Sequence, residues 1–209
     1  MTTKENSIMN RNLKTAATIA ALGAAALLSG CAFVPMTVHS HYTPPANVAK
    51  VPGADKVVVD VVVKNEKKHK NEVSVTKDGY GFKMAGVYMN ISKDFKTAMD
   101  KALVARGFHI GKNGSDAVDV TVKKFFLTEQ MHFASEGHTG SLLWLVTVRN
   151  KLGKAIYATK ISIAGLHHHE GFSFTSVGRS ASANALLDSG VTKLMDDQLF
   201  IKALLKNGM

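Results

Sequence analysis

The sequence predicts an α+β fold, a mainly antiparallel sheet with amphipathic helices packed on it, preceded by a signal segment and a flexible tether. Three observations lead there. β-branched or alternating apolar runs recur at residues 57–63, 72–76, 80–89, 117–128, 141–150 and 155–164. Apolar residues recur at helical spacing in two places, Phe95, Ala98, Met99, Ala102 and Leu103, then Ala183, Leu186, Leu187, Val191, Leu194 and Met195. The order is strand, hairpin, helix, strands, hairpin, helix, and not the strict β–α alternation of a parallel sheet. With 209 residues, 45% hydrophobic and 20% charged, the chain can bury one core of ordinary size.

The first 30 residues form a segment of their own. Arg11 and Lys14 precede an uncharged Ala/Leu-rich run over residues 15–28, the basic and apolar regions of a secretory signal. That run is shorter than the ~20 residues a membrane-spanning helix requires, so cleavage is expected. It closes on Leu28, Ser29, Gly30 and Cys31, which resembles the lipobox of bacterial lipoproteins. Small residues let an extended backbone enter a peptidase cleft, and only a thiol accepts the diacylglyceryl group. Cys31 is the chain's one cysteine, so an internal disulfide is excluded. The lipid on Cys31 is the covalent group expected, with no other cofactor. Ala32, where an Asp commonly retains such proteins at the inner membrane, implies by the same resemblance an outer-membrane, periplasm-facing location. Several acyl chains would make the anchor stable. Met9 offers a second translation start.

Residues 31–55, with Pro35, Pro44, Pro45 and Pro52, read as the lipidated N-terminus and flexible tether. Residues 56–209 read as a single domain. The β-branched run 57–63 suits a strand deep in a sheet, and residues 64–71 a solvated turn. Asp78-Gly79 supplies a tight turn between two strands. Ser92 offers a helix N-cap and Gly107 a stop. Residues 108–110 suit a short strand. In 117–128, Val118, Val120 and Val122 face one way and Asp119, Thr121 and Lys123 the other, as in a half-buried strand. A second hairpin turns at Lys151-Leu152-Gly153-Lys154, followed by a His-rich loop, the second helix and a shorter one over 199–205.

The lipobox, the early strand, the helix leading into ARGFHIGKNGSDAVDVTV (residues 105–122), the long hairpin and the terminal amphipathic helix resemble the YajG-type outer-membrane lipoproteins. Members of that family carry a similar ARGY-VGPNG-VNLQI phrase. The resemblance covers roughly residues 57–207 and brings no catalytic residues with it. The Lys/His insert at 64–71 and the triple histidine depart from the family pattern.

Candidate chemistry is sparse. G-x-S-x-G, H-E-x-x-H and G-x-x-x-x-G-K-[ST] are all missing from the sequence, so the reading is non-catalytic. His167, His168 and His169 are conspicuous because imidazole binds Zn, Cu and Ni. On a strand only His167 and His169 would converge, with Glu170, His132 or His138 as a further ligand. The plainer reading is a solvated polar loop. Net charge is +10, and +8 after removal of the leader's Lys4, Glu5, Arg11 and Lys14. Lys64, Lys67, Lys68 and Lys70, with His69, form a candidate anion site, joined elsewhere by Lys123, Lys124 and Lys151. Without interleaved aromatics it does not suit nucleic acid, which an exported protein rarely meets. The expected partners are the membrane through the lipid, and an envelope protein, lipopolysaccharide or peptidoglycan. Two function classes remain: a structural or interaction lipoprotein, and an envelope module binding a lipid, glycan or metal. A closed apolar pocket would favour the second.

Overall fold

The structure, a computed structural model, describes residues 34–77, 80–112, 114, 116–132, 135–171 and 176–208; for 130–132, 135, 136, 169–171, 176, 207 and 208 it describes the backbone alone. Cys31, with Leu28, Ser29 and Gly30, lies outside the described residues.

Among the described residues, eight strands and three α-helices succeed one another as β1 (Met36–Thr37), β2 (Val58–Asn65), β3 (Glu72–Lys77), β4 (Lys83–Tyr88), α1 (Ile91–Ala105), β5 (His109–Ile110), β6 (Asp116–His132), β7 (Ser135–Asn150), β8 (Ala155–Gly171), α2 (Ser176–Met195) and α3 (Gln198–Gly208). They form a three-stranded sheet, β1-β4-β3, and a five-stranded sheet, β5-β2-β6-β7-β8. The long pairings, β6 with β7 and β7 with β8, are antiparallel, as is β3 with β4. Three pairings are parallel: β1 with β4, β2 with β5 and β2 with β6. Both sheets are therefore mixed; in the five-stranded one, α1 carries the chain back across the sheet before β5 and β6 form, and such a crossover returns it in the direction of β2.

Helix α1 buries the apolar series read from the sequence: Phe95, Ala98, Met99, Ala102 and Leu103. Phe95 sits edge-on to both Phe125 and Trp144, at 5.2 Å in each case. The N-cap is Asn90, not Ser92; its Oδ1 accepts a hydrogen bond from the Lys93 N–H at 3.2 Å. Asn serves there as well as Ser, and the earlier start buries Ile91. Gly107 ends the helix at φ +100°, a conformation that only glycine adopts without strain. Val118, Val120 and Val122 of β6 lie in the same core as Val57, Val59 and Val61, while Val58 and Val62 are partly exposed. β2 is thus covered fully on one face only. Helix α2 packs against β7 so closely that a Cβ on Gly190 would collide with Trp144 and Leu142. Helix α3 adds Phe200, Ile201 and Leu204 to the core.

The tether reading of residues 31–55 needs correction for most of its length. β1 pairs with β4 at Met36 and Thr37. The His41 N–H donates to Asn184 Oδ1 in α2, Lys101 in α1 donates to the Tyr42 carbonyl, and the Val51 N–H donates to the Arg106 carbonyl. Val38, Tyr42 and Ala54 are buried. This segment is a strap laid over the helices.

Candidate functional site

Two side-chain clusters stand out, one inside the protein and one at its surface. Both depend on a single irregularity in β6. Its register with β7 shifts between Val122 and Lys124, a β-bulge that inserts one extra residue and reverses which face later residues take. Before it Val118, Val120 and Val122 point inward; after it Phe125 and Leu127 do.

The inward series after the bulge continues to Glu129. Its carboxylate accepts a hydrogen bond from Arg179 Nε in α2 at 2.8 Å, with both side chains 2% exposed. Ser74 of β3 donates to the Leu127 carbonyl at 2.7 Å and lies 3.4 Å from Glu129 Oε1. Arg179 also reaches the Met36 sulfur in β1 at 3.3 Å. Next to Glu129 in register is His138 of β7, whose Nδ1 is 2.9 Å from Ser182 Oγ in α2. Ser182, His138 and Glu129 resemble the parts of a hydrolase triad. The environment does not suit that chemistry. Ser182 and His138 are each 1% exposed, so no substrate reaches them, and backbone N–H groups inside a helix are engaged in its own ladder and cannot serve as an oxyanion hole. The cluster ties β1, β3, β6, β7 and α2 together.

At the surface, the bulge turns the consecutive Lys123 and Lys124 both outward. They form one wall of a groove of about 190 Å³, with Lys67, Lys68, His69, Glu72, Phe125 and Phe126 completing it. Lys123 pairs with Glu66, which holds the Glu66 carboxyl below its usual range. The four lysines predicted as an anion site are not equivalent. Lys67 is buried, contrary to its reading as part of a solvated turn, and its Nζ donates to the Glu72 carbonyl at 2.7 Å. Burial pushes its ammonium down to about 8, with Glu72 opposing. Lys70 folds back onto the Asn65 carbonyl at 3.0 Å. Lys64 and Lys68 are exposed, and Lys68 shares the groove with Lys124.

The histidine tract lies in strand β8, not in a loop; His167, His168 and His169 pair with Thr139, His138 and Gly137. His167 is exposed, and its Nδ1 is 3.1 Å from Thr139 Oγ1. His168 lies opposite His138, on the other face from His167. The side chains of His169, Glu170 and His132 lie outside the described residues. Among the described residues no group of three His, Cys, Asp or Glu side chains is arranged to hold a metal, and no helix is long and apolar enough to cross a membrane. An open apolar groove of about 540 Å³ runs along α1 between Val104, Ala105, Ile110 and the strap residues Tyr42 and Pro44.

A family described as uncharacterized lipoprotein matches this chain over residues 44–204. The chain belongs to that lipoprotein family. It is a YajG-like lipoprotein, as its lipobox and the phrase at 105–122 suggest. No curated protein matches it significantly. Among solved structures, XCC0632 from Xanthomonas campestris is similar at 9% identity, covering 82% of this chain and 95% of its own, with a TM-score of 0.47. A neuraminyllactose-binding hemagglutinin homolog from Helicobacter pylori is similar at 10% identity over 79% and 98%, with a TM-score of 0.44. A minor lipoprotein from Acinetobacter baumannii is similar at 10% identity over 72% and 91%, with a TM-score of 0.38. Likenesses of this strength carry no argument about function.

Proposed function

We propose that this lipoprotein is a non-catalytic outer-membrane protein, anchored by lipid on Cys31, that faces the periplasm and holds an anionic envelope polymer in the groove beside the β6 bulge. The observation that carries the reading is that groove: one extra residue in β6 sets Lys123 and Lys124 side by side against Lys68 and His69. Phe126 gives the groove an apolar side, while Phe125 next to it turns into the core against Phe95. Cations beside an apolar ring suit a polymer carrying carboxylates on a sugar-peptide backbone, and the carboxylate-bearing wall is the one a periplasm-facing protein meets. The buried triad-like cluster supports the non-catalytic part, since it has no access.

Binding of the chain from Ala32 onward to isolated peptidoglycan, by cosedimentation, tests this. Attraction between exposed charges weakens as the Debye length falls from ~10 Å at 0.1 M salt to ~3 Å at 1 M, so bound protein should drop steeply over that range. The double variant Lys68→Gln, Lys124→Gln should lose binding at low salt while its circular dichroism is unchanged. Binding of that variant equal to the parent overturns the reading, as does binding to lipopolysaccharide vesicles alone.

A further inference from the structure

Exposed apolar residues gather at one end of the three-stranded sheet. Tyr80 is 91% exposed, Phe82 70% and Met84 42%, all where the chain turns from β3 into β4. Lys77 and Lys83 flank them, and Lys83 is held by Glu72 at 2.7 Å. Aromatic rings with lysines beside them are the side chains that settle at a bilayer's headgroup level. Exposure alone would not choose among partners; the path of the chain does.

β1 is parallel to β4, with Met36 opposite Val87 and Thr37 opposite Tyr88. The chain therefore enters β1 from the side on which β4 begins, the side of Tyr80 and Phe82. From Cys31 to Met36 is five residues, which span at most ~18 Å. From the level of Val87 back to Lys83 is four residues, ~13 Å along a strand. A lipid on Cys31 is thus confined to the neighbourhood of this one end. We propose that the β3–β4 turn, through Tyr80, Phe82 and Met84, rests in the headgroup region of the leaflet that holds the Cys31 lipid, and so fixes which way the domain stands on the membrane. This rests on the lipidation of Cys31 proposed above.

At the same end β6 finishes and β7 begins, with His132 opposite Ser135. Glu72 lies in the groove with Phe125 and Ser74 reaches Leu127, so β3 advances in the same direction as β6. The β7–β8 turn, with Leu152 91% exposed, is at the opposite end, since Asp116 at the start of β6 pairs with Asn150. These two ends provide a matched pair of probe positions.

The chain has one tryptophan, Trp144, which is buried. Phe82→Trp and Leu152→Trp, each made in the full-length lipoprotein and reconstituted into phosphatidylethanolamine–phosphatidylglycerol vesicles, add one exposed reporter at each end. With lipids brominated near the top of the acyl chains, Phe82→Trp should lose emission beyond the parent and shift to the blue, while Leu152→Trp should match the parent. Equal quenching of the two variants, or quenching of Leu152→Trp alone, overturns the proposal. Mass spectrometry of the same samples separates the two readings. A Cys31 without lipid overturns both, whereas a lipidated Cys31 with Phe82→Trp unquenched overturns this one alone.

Discussion

Arg179→Met is the perturbation with the largest expected effect on stability, because it leaves a buried charge without its partner. The guanidinium is 2.8 Å from the Glu129 carboxylate, and both side chains are 2% exposed. Removing the cation strands a carboxylate in the interior, and breaking a buried pair in this way costs about 3–5 kcal/mol. Glu129→Gln should cost a comparable amount, since it leaves the guanidinium facing a neutral amide. Replacing both at once, Arg179→Met with Glu129→Leu, removes the two desolvation costs together and should return the protein to within about 1 kcal/mol of the parent. Urea unfolding followed by Trp144 fluorescence reads these differences. With a slope near 2 kcal/mol/M, each single variant should lower the midpoint by roughly 1.5–2.5 M. The slope itself should not change. Two results would refute the reasoning: single variants within about 1 kcal/mol of the parent, or a double variant as unstable as the sum of the singles, since additivity means that the two groups do not act as a pair.

Three further expectations are more local. Leu103→Ala, at a position fully buried under the sheet, should cost about 2–5 kcal/mol in the same urea assay. Gly190→Ala should lower the thermal midpoint, because the added methyl collides with Trp144 and Leu142; an unchanged midpoint would mean that α2 can lift away from β7 without penalty. Burial pushes the Asp188 carboxyl in α2 up to about 6. Its folded pKa lies above its ordinary 3.8, so whatever stability the neutral acid allows is present below pH 4 and is lost as pH rises through 6. Asp188→Asn should therefore stabilise the protein at pH 7 and leave stability at pH 3.5 nearly unchanged. At 1.36 kcal/mol per unit the ceiling is about 3 kcal/mol, and solvent screening of this partly exposed group brings the gain below it.

Periodicity reveals the parts of this fold whose burial obeys a single rule over many residues. Phe95, Met99 and Leu103 on α1, and Val118, Val120 and Val122 on β6, occupy the core faces their spacing implies. The bulge at Lys123 and Lys124 hides the second half of β6 from that rule. The inward parity moves from even positions to Phe125, Leu127 and Glu129, and an alternation traced only as far as Val122 loses both the buried ion pair and the lysine wall of the groove. The switch is visible in the sequence as Val-Lys-Lys-Phe, two lysines where strict alternation allows one. The full lengths of β7 and β8 are hidden for another reason. Residues 135–140 (Ser-Glu-Gly-His-Thr-Gly) and 165–170 (Gly-Leu-His-His-His-Glu) are short of β-branched and aromatic residues, and are strands because each has neighbours to pair with. Nothing local separates Lys67 from Lys68; only the approach of the Glu72 carbonyl does. The two-residue β1 has no sequence signal, as its partner β4 is remote along the chain.

The strap that begins with β1 also decides how the domain responds to mechanical load. With the lipid on Cys31 proposed above, the domain would be pulled through its N-terminal end whenever the envelope moves. The force enters at Met36 and runs along the axis of β1, parallel to β4, so the ladder contacts at Met36 and Thr37 and the Val38 N–H bond to the Tyr88 carbonyl at 2.8 Å are strained together in shear and not opened one by one. Beyond them the tension passes into Tyr42, wedged against α1, and then to Val51 on the Arg106 carbonyl. The buried Arg179, in contact with Met36, acts as a second clamp at the point where the pull begins.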